Sequence, residues 1–145
     1  MPELDYAVLC DHVRVEGGVA HIISAGTEVA RGSSAPLGLN MGVVLAVMFK
    51  RNECGRPHRV ELHFQDEDGQ HLMELQVVIT PAWDEGLPKG WDVRHLLGVN
   101  FGVVFPRFGL YALEVLIDDR SEKSLRLLVT QEGSGGRSPG TPDAS

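Results

Sequence analysis

Apolar and polar residues alternate along most of this chain, the period of a β-strand with one wet face. The clearest case runs from His58 to Thr80 across Asp66-Glu67-Asp68-Gly69. Asp68-Gly69 is a strong hairpin signal. Centring the turn there sets Phe64 opposite Met73, Leu62 opposite Leu75 and Val60 opposite Val77. The same register sets His63 opposite Glu74 and Glu61 opposite Gln76, so the dry and wet faces agree. A second hairpin runs from Leu110 to Gln131 across a polar turn, Asp118 to Ser124. It sets Tyr111, Leu113, Val115 and Ile117 against Leu125, Leu127 and Val129.

The remaining segments extend the pattern. Leu4 to Val15 reads as one strand, with Leu4, Tyr6, Val8 and Cys10 on one side and Ala7 and Leu9 on the other. Gly17-Gly18 suits a tight turn, and Val19 to Ala25 returns with Val13 facing Ile22 and Val15 facing Ala20. Arg31 to Asn40 is rich in Gly, Ser and Pro and reads as a crossing loop. Met41 to Phe49 is apolar on both sides, so this strand must be central, or covered on its second face by a loop or a partner. Pro81 to Gly90 reads as a loop. Trp91 to Leu97 is open between a short helix and an extended run. Val99 to Phe105 is a strand, and Pro106-Arg107-Phe108-Gly109 is a turn.

Eight short strands separated by turn signals predict an all-β, antiparallel, immunoglobulin-like β-sandwich, with a small β-barrel as the alternative. The domain spans residues 1–131. Residues 132–145 hold Gly, Ser and Pro but little to bury, and read as a disordered tail.

Composition narrows the function classes. The 145 residues suffice for one domain with its own core. No apolar run reaches the length of a membrane span. Met1-Pro2-Glu3-Leu4-Asp5 lacks the features of a signal peptide, so the chain reads as cytoplasmic and away from membranes. The net charge of −7, with 13 Lys and Arg scattered among 20 Asp and Glu, argues against nucleic-acid binding.

Leu4 to Asp11, the Gly17-Gly18 turn, Ile22-Ile23-Ser24-Ala25-Gly26, His58 to Gly69 and Phe105 to Tyr111 together resemble a family of small uncharacterised bacterial proteins, mainly actinobacterial. The resemblance covers about residues 4–130. It implies an immunoglobulin-like sandwich and carries over no functional residue.

Candidate chemistry is sparse. Cys10 reads as a buried small hydrophobe. Cys54 reads as an exposed thiol whose pKa Arg51 and Arg56 would lower. Cys10 and His12, or Cys54 and His58, lack the paired spacing of a zinc site. Asp66-Glu67-Asp68-Gly69 is similar to a calcium loop only superficially, since position twelve of that loop falls on Val77. Ser24, Ser33 and Ser34 have no nucleophile-elbow context. No metal, cofactor or catalytic residue is assigned.

Trp83 and Trp91 flank a polar loop, where large aromatics mark binding surfaces. The competing reading has both rings folded back to cap the sandwich. The expected function is therefore a non-enzymatic protein-binding or adaptor module. Its contact surface is loop Pro81 to Asp92 with the second face of Met41 to Phe49, and that face pairs with a second copy if nothing covers it. The alternatives are a small-molecule or carbohydrate binder stacking sugar on Trp83 and Trp91, and a hydrolase.

Overall fold

The computed structural model describes residues 1–132. The tail expected from residue 132 lies outside the described residues, apart from Glu132 itself. Among the described residues there are ten strands. They are β1 (Glu3–Cys10), β2 (His12–Glu16), β3 (Val19–Ile23), β4 (Val29–Gly32), β5 (Leu37–Phe49), β6 (His58–Asp66), β7 (His71–Ile79), β8 (Val93–Phe105), β9 (Gly109–Ile117) and β10 (Arg120–Gln131). A single 3₁₀ turn, Arg51–Glu53, joins β5 to β6.

The strands form a three-stranded sheet, β1-β5-β8, and a five-stranded sheet, β4-β10-β9-β6-β7, with β2 and β3 as a separate hairpin. Neighbours are antiparallel except β4 and β10, which run parallel. The chain is an all-β sandwich. Two sheets with separate edges, rather than one closed ladder, set the barrel aside.

Alternation builds the core. Val43, Leu45, Val47 and Phe49 of β5 share one buried cluster with Val60, Leu62 and Phe64 of β6 and Leu113, Val115 and Ile117 of β9. Aromatic rings lock one end of it. Phe105 meets Phe64 edge-on at 5.5 Å and Tyr111 at 4.8 Å. The Tyr111 hydroxyl donates to the Arg107 carbonyl at 2.7 Å. A tyrosine near the start of a strand, tied to backbone four residues upstream, is the corner device of immunoglobulin-like sandwiches.

The second face of β5 is covered from within the molecule. Val44 is fully buried beside Cys10 and Val13, with Tyr6, Val8, Val15 and Ala20 packed around them. Two glycines admit the hairpin to this distance. A Cβ on Gly98 would lie 3.1 Å from methyls of both Val13 and Val15, and one on Gly42 would lie 3.3 Å from a Val13 methyl. Asn100, the register partner of Gly42, pins the same residue. Its Oδ1 accepts the Val13 N–H at 2.9 Å, and its Nδ2 donates to the Val13 carbonyl at 2.8 Å. One side-chain amide thus replaces a neighbouring strand for Val13. The need for a cover on the second face of Met41 to Phe49 is met by the hairpin, so that face is not the open contact surface that was expected.

Both hairpin registers read from alternation hold in β2–β3 and β6–β7. Other expectations change. The first strand breaks at Asp11, so that β2 can leave the sheet and fold over it. A bulge between Leu4 and Tyr6 turns Leu4 to the main core with Ala7 and Leu9. The crossing loop Arg31 to Asn40 contains the end of β4 and the start of β5. Residues from Val93 are extended, not helical, because β8 pairs with β5 along its whole length. The turn of the last hairpin holds two residues, not seven. Asp118 and Asp119 sit at φ 50° and 68°, a conformation that Asp adopts more readily than most side chains. The polar residues from Arg120 to Ser124 belong to β10, where a shift in register between Ser121 and Lys123 lets the ladder continue.

Replacing Asn100 with alanine leaves two part-buried backbone groups of Val13 without their partner. The expected cost is about 1–3 kcal/mol, read by urea unfolding. Faster amide exchange should be confined to β2 and β3. A stability unchanged within about 0.5 kcal/mol contradicts the pinning role.

Candidate functional site

One end of the sandwich gathers the 3₁₀ turn, the loop from Thr80 to Asp92, the Asp118-Asp119 turn and the first residues of the chain. Backbone bonds hold these segments together. Gly55 donates to the Pro81 carbonyl at 2.8 Å, and Asp118 donates to the Arg59 carbonyl at 2.8 Å. Arg120 Nη2 reaches the Pro2 carbonyl at 3.0 Å.

The tryptophan loop is braced inside and outside. Asp84 Oδ1 accepts the Gly86 N–H at 2.8 Å, an Asx turn. Leu87 donates to the Asp84 carbonyl and Trp91 to the Pro88 carbonyl, both at 3.1 Å. Arg51 lies over the Trp83 ring, 5.3 Å from its centroid, and its Nη2 reaches Glu85 at 3.4 Å. Lys50 reaches Asp92 at 3.8 Å. Each exposed ion pair contributes little alone; together with the cation–π contact they fix the loop to the 3₁₀ turn. The two tryptophans part company here. Trp83 is half-buried under the guanidinium, whereas Trp91 is 61% exposed. Among the described residues the rings make no aromatic contact with each other. The two rings thus differ in surroundings, which neither expectation, two capping rings or two open rings, allowed for.

Beside this loop sits a charged cluster without a sequence signal. His58 is 5% exposed. Its Nδ1 bonds Asp118 Oδ2 at 2.7 Å and its Nε2 bonds the Glu53 carbonyl at 2.7 Å. Both partners are acceptors, so both ring nitrogens must donate, and His58 is the doubly protonated cation. Burial pushes its pKa down, but the Asp118 carboxylate and the Glu53 carbonyl outweigh burial and hold it above the ordinary histidine value. Asp118 is lowered in turn. Burial raises it, and the bonds from His58 and the Arg59 N–H overcome that. Glu53, 3% exposed, accepts the Lys50 N–H at 2.7 Å and meets the Met1 ammonium. These bonds overcome its burial and lower its pKa.

Clefts of about 340 and 280 Å³ open on either side of the His58–Asp118 pair. Both ring nitrogens are committed to the bonds with Asp118 and the Glu53 carbonyl, so neither is presented to the clefts as a free base. What the cluster does is join the 3₁₀ turn to the β9–β10 turn through a buried cation. His58 and Asp118 lie 60 residues apart, and only the fold brings them together.

The other candidates stay apart. Cys10 is buried under the β2–β3 hairpin, and Cys54 is half-buried. Cys54 has its pKa raised, by burial and then by Glu53, where the arginines were expected to lower it. His58 has no nitrogen to spare for a metal shared with Cys54. Among the described residues no three His, Cys, Asp or Glu side chains form a set that holds a metal ion. No helix among them is long and apolar enough to cross a membrane.

Residues 5–130 match a family of unknown function, DUF6941. The chain belongs to this family. The match runs from Asp5 in β1 to Thr130 in β10 and bears out the resemblance to an uncharacterised family. No curated protein matches the chain. Among solved structures, an immunoglobulin-like protein from Pseudomonas aeruginosa aligns with 89% of this chain and 96% of its own, at 19% identity and a TM-score of 0.41. A glycosyl hydrolase family 2 member from Bacteroides cellulosilyticus aligns with 65% of this chain at 12% identity and a TM-score of 0.42. This chain spans only 13% of that hydrolase. Neither likeness carries an argument about chemistry.

Linkage makes the His58 cation visible in stability. A histidine with a raised folded pKa contributes fully below its unfolded value, near 6.5, and the contribution is lost as pH rises through the folded value. His95, lowered by burial, acts below 6.5. The depressed carboxyls of Glu53 and Asp118 act in acid, and the raised thiols act above their ordinary 9.0. Unfolding free energy should therefore fall as pH rises above about 6.5, and His58→Gln should flatten that fall. A wild-type profile that stays flat as pH rises above that value contradicts the assignment.

Proposed function

We propose that the chain is a non-enzymatic, cytoplasmic module that recognises another protein through the end of the sandwich bearing Trp91. The observation that carries the reading is a large aromatic ring, mostly exposed, on a loop that is already fixed. Binding hot spots favour Trp, and a loop ordered before the encounter loses less entropy on association. The turns at Asp84 and Pro88 and the Arg51, Glu85, Lys50 and Asp92 contacts supply that order.

The same geometry weighs against the alternatives. Sugar stacking on a pair of open rings is disfavoured because Arg51 already covers Trp83. Neither tryptophan lines the clefts beside the His58–Asp118 pair. A hydrolase using His58 as its base is disfavoured by the saturation of both ring nitrogens. Two unpaired cysteines suit a reducing compartment.

Full-length protein carrying a photo-crosslinker at Pro88 or Lys89 should trap a discrete partner in lysate of its native host. Trp91→Ala should remove that adduct while leaving the melting temperature within about 2 °C, since an exposed side chain contributes little to stability. An adduct pattern unchanged by Trp91→Ala contradicts the reading.

A further inference from the structure

The edge of the large sheet is only half used. β4 pairs with β10 at Leu128–Gln131 and nowhere else. The Leu128 N–H donates to the Glu28 carbonyl at 2.8 Å, away from β9. Strand alternation then turns the backbone groups of Arg126 and Ser124 to that same side. Among the described residues those groups have no ladder partner there. The chain that would occupy the position leaves it. Gly26 and Thr27 donate instead to the Leu9 carbonyl at 2.8 and 3.1 Å, which carries this segment up to the edge of β1.

The result is a slot of about 260 Å³ between the edges of β1 and β10, in line with β4 and closed at its top by Gly26 to Glu28. Its floor is apolar, with Ala7 and Leu9 on one side and Leu125 on the other. Its lip is basic. Lys123 and Arg126 are exposed, and among the described residues neither makes an ion pair. Arg120, the next cation along, is held by Glu122 at 2.8 Å. Glu28 is the one acid lining the slot, at its closed end. The net charge of −7 acts on a ligand from farther off, and salt screens it beyond about 8 Å. At contact the two free cations dominate.

We propose that this slot takes an extended, acidic segment of another polypeptide, added to β10 as a strand in line with β4. Main-chain bonds to Ser124 and Arg126 hold the segment, the apolar floor takes its inward side chain, and Lys123 and Arg126 select acidic neighbours. This is strand addition at a free edge. β4 shows that this edge accepts a parallel strand. The surface is separate from the Trp91 loop and does not depend on it.

The test is a titration of the full-length, ¹⁵N-labelled protein with an end-blocked octapeptide alternating valine and glutamate. The alternating valine–lysine peptide is the control. Amide shifts should centre on Ser124, Leu125 and Arg126, and exchange there should slow. Affinity should fall with added salt, and the lysine peptide should bind at least about tenfold more weakly. Ser124→Pro should cost at least about tenfold in affinity without lowering the melting temperature, because its N–H points out of the β9–β10 ladder. Should that variant fail to fold, Arg126→Glu tests the same edge and should abolish the preference for glutamate. Three results overturn the proposal. They are no shifts at β10, equal binding of the two peptides, or self-association of the protein through this edge that the acidic peptide does not reverse.

Discussion

From Met41 to Phe49 β5 has no wet face, and the rest of the molecule is arranged around that constraint. Its thirteen residues run through the middle of the small sheet. From Met41 to Val47 every side chain is buried or replaced by the hydrogen of Gly42. The five-stranded sheet covers one side. The other would be a broad apolar surface, of the kind soluble proteins rarely leave open. The β2–β3 hairpin covers it, and the chain must break at Asp11 to let it do so. Burial of Val44 and Val13, the hydrogen left at Gly42 and Gly98, and the two bonds of Asn100 are parts of one solution.

The loop end is held in a different way. There the chain has few large apolar residues to bury, and it uses buried charge. The His58 cation lies between the Asp118 carboxylate and the Glu53 carbonyl, next to a Glu53 side chain that has its own donors. A buried pair of this kind adds modestly to stability, and breaking one partner is costly. Its effect is to fix the relative positions of the 3₁₀ turn and the β9–β10 turn. The tryptophan loop is fastened to the same 3₁₀ turn through Lys50 and Arg51. A rigid frame at this end fixes the loop that carries the exposed Trp91.

Much of the architecture was legible because alternation leaves only one consistent register. Phe64 against Met73 and Val13 against Ile22 follow from keeping apolar residues on one side. The boundaries were less legible where polarity has two causes. Arg120 to Ser124 are polar because their faces meet water or the sheet edge, and that looks the same as a turn. Gly98 stands between two segments that were read separately, yet it lies within β8, where Val13 and Val15 need its space. The cover over β5 was foreseeable as a need, but its source was not. No local pattern links Asn100 to Val13 across 87 positions. His58 and Asp118 were hidden in the same way, and the loop tryptophans were visible as a pair while their different surroundings were not.

The central claim is that the β2–β3 hairpin seals the outer face of β5, and Cys10 reports on it. This thiol is fully buried beneath the hairpin, whereas Cys54 is only half-buried in the loop after β5. The direct measurement is the rate at which each thiol reacts with a chromogenic disulfide in native buffer. The account predicts that Cys54 reacts first and Cys10 no faster than the hairpin opens, with Asn100→Ala accelerating Cys10 alone. A Cys10 that reacts as readily as Cys54 in the unaltered protein would contradict it.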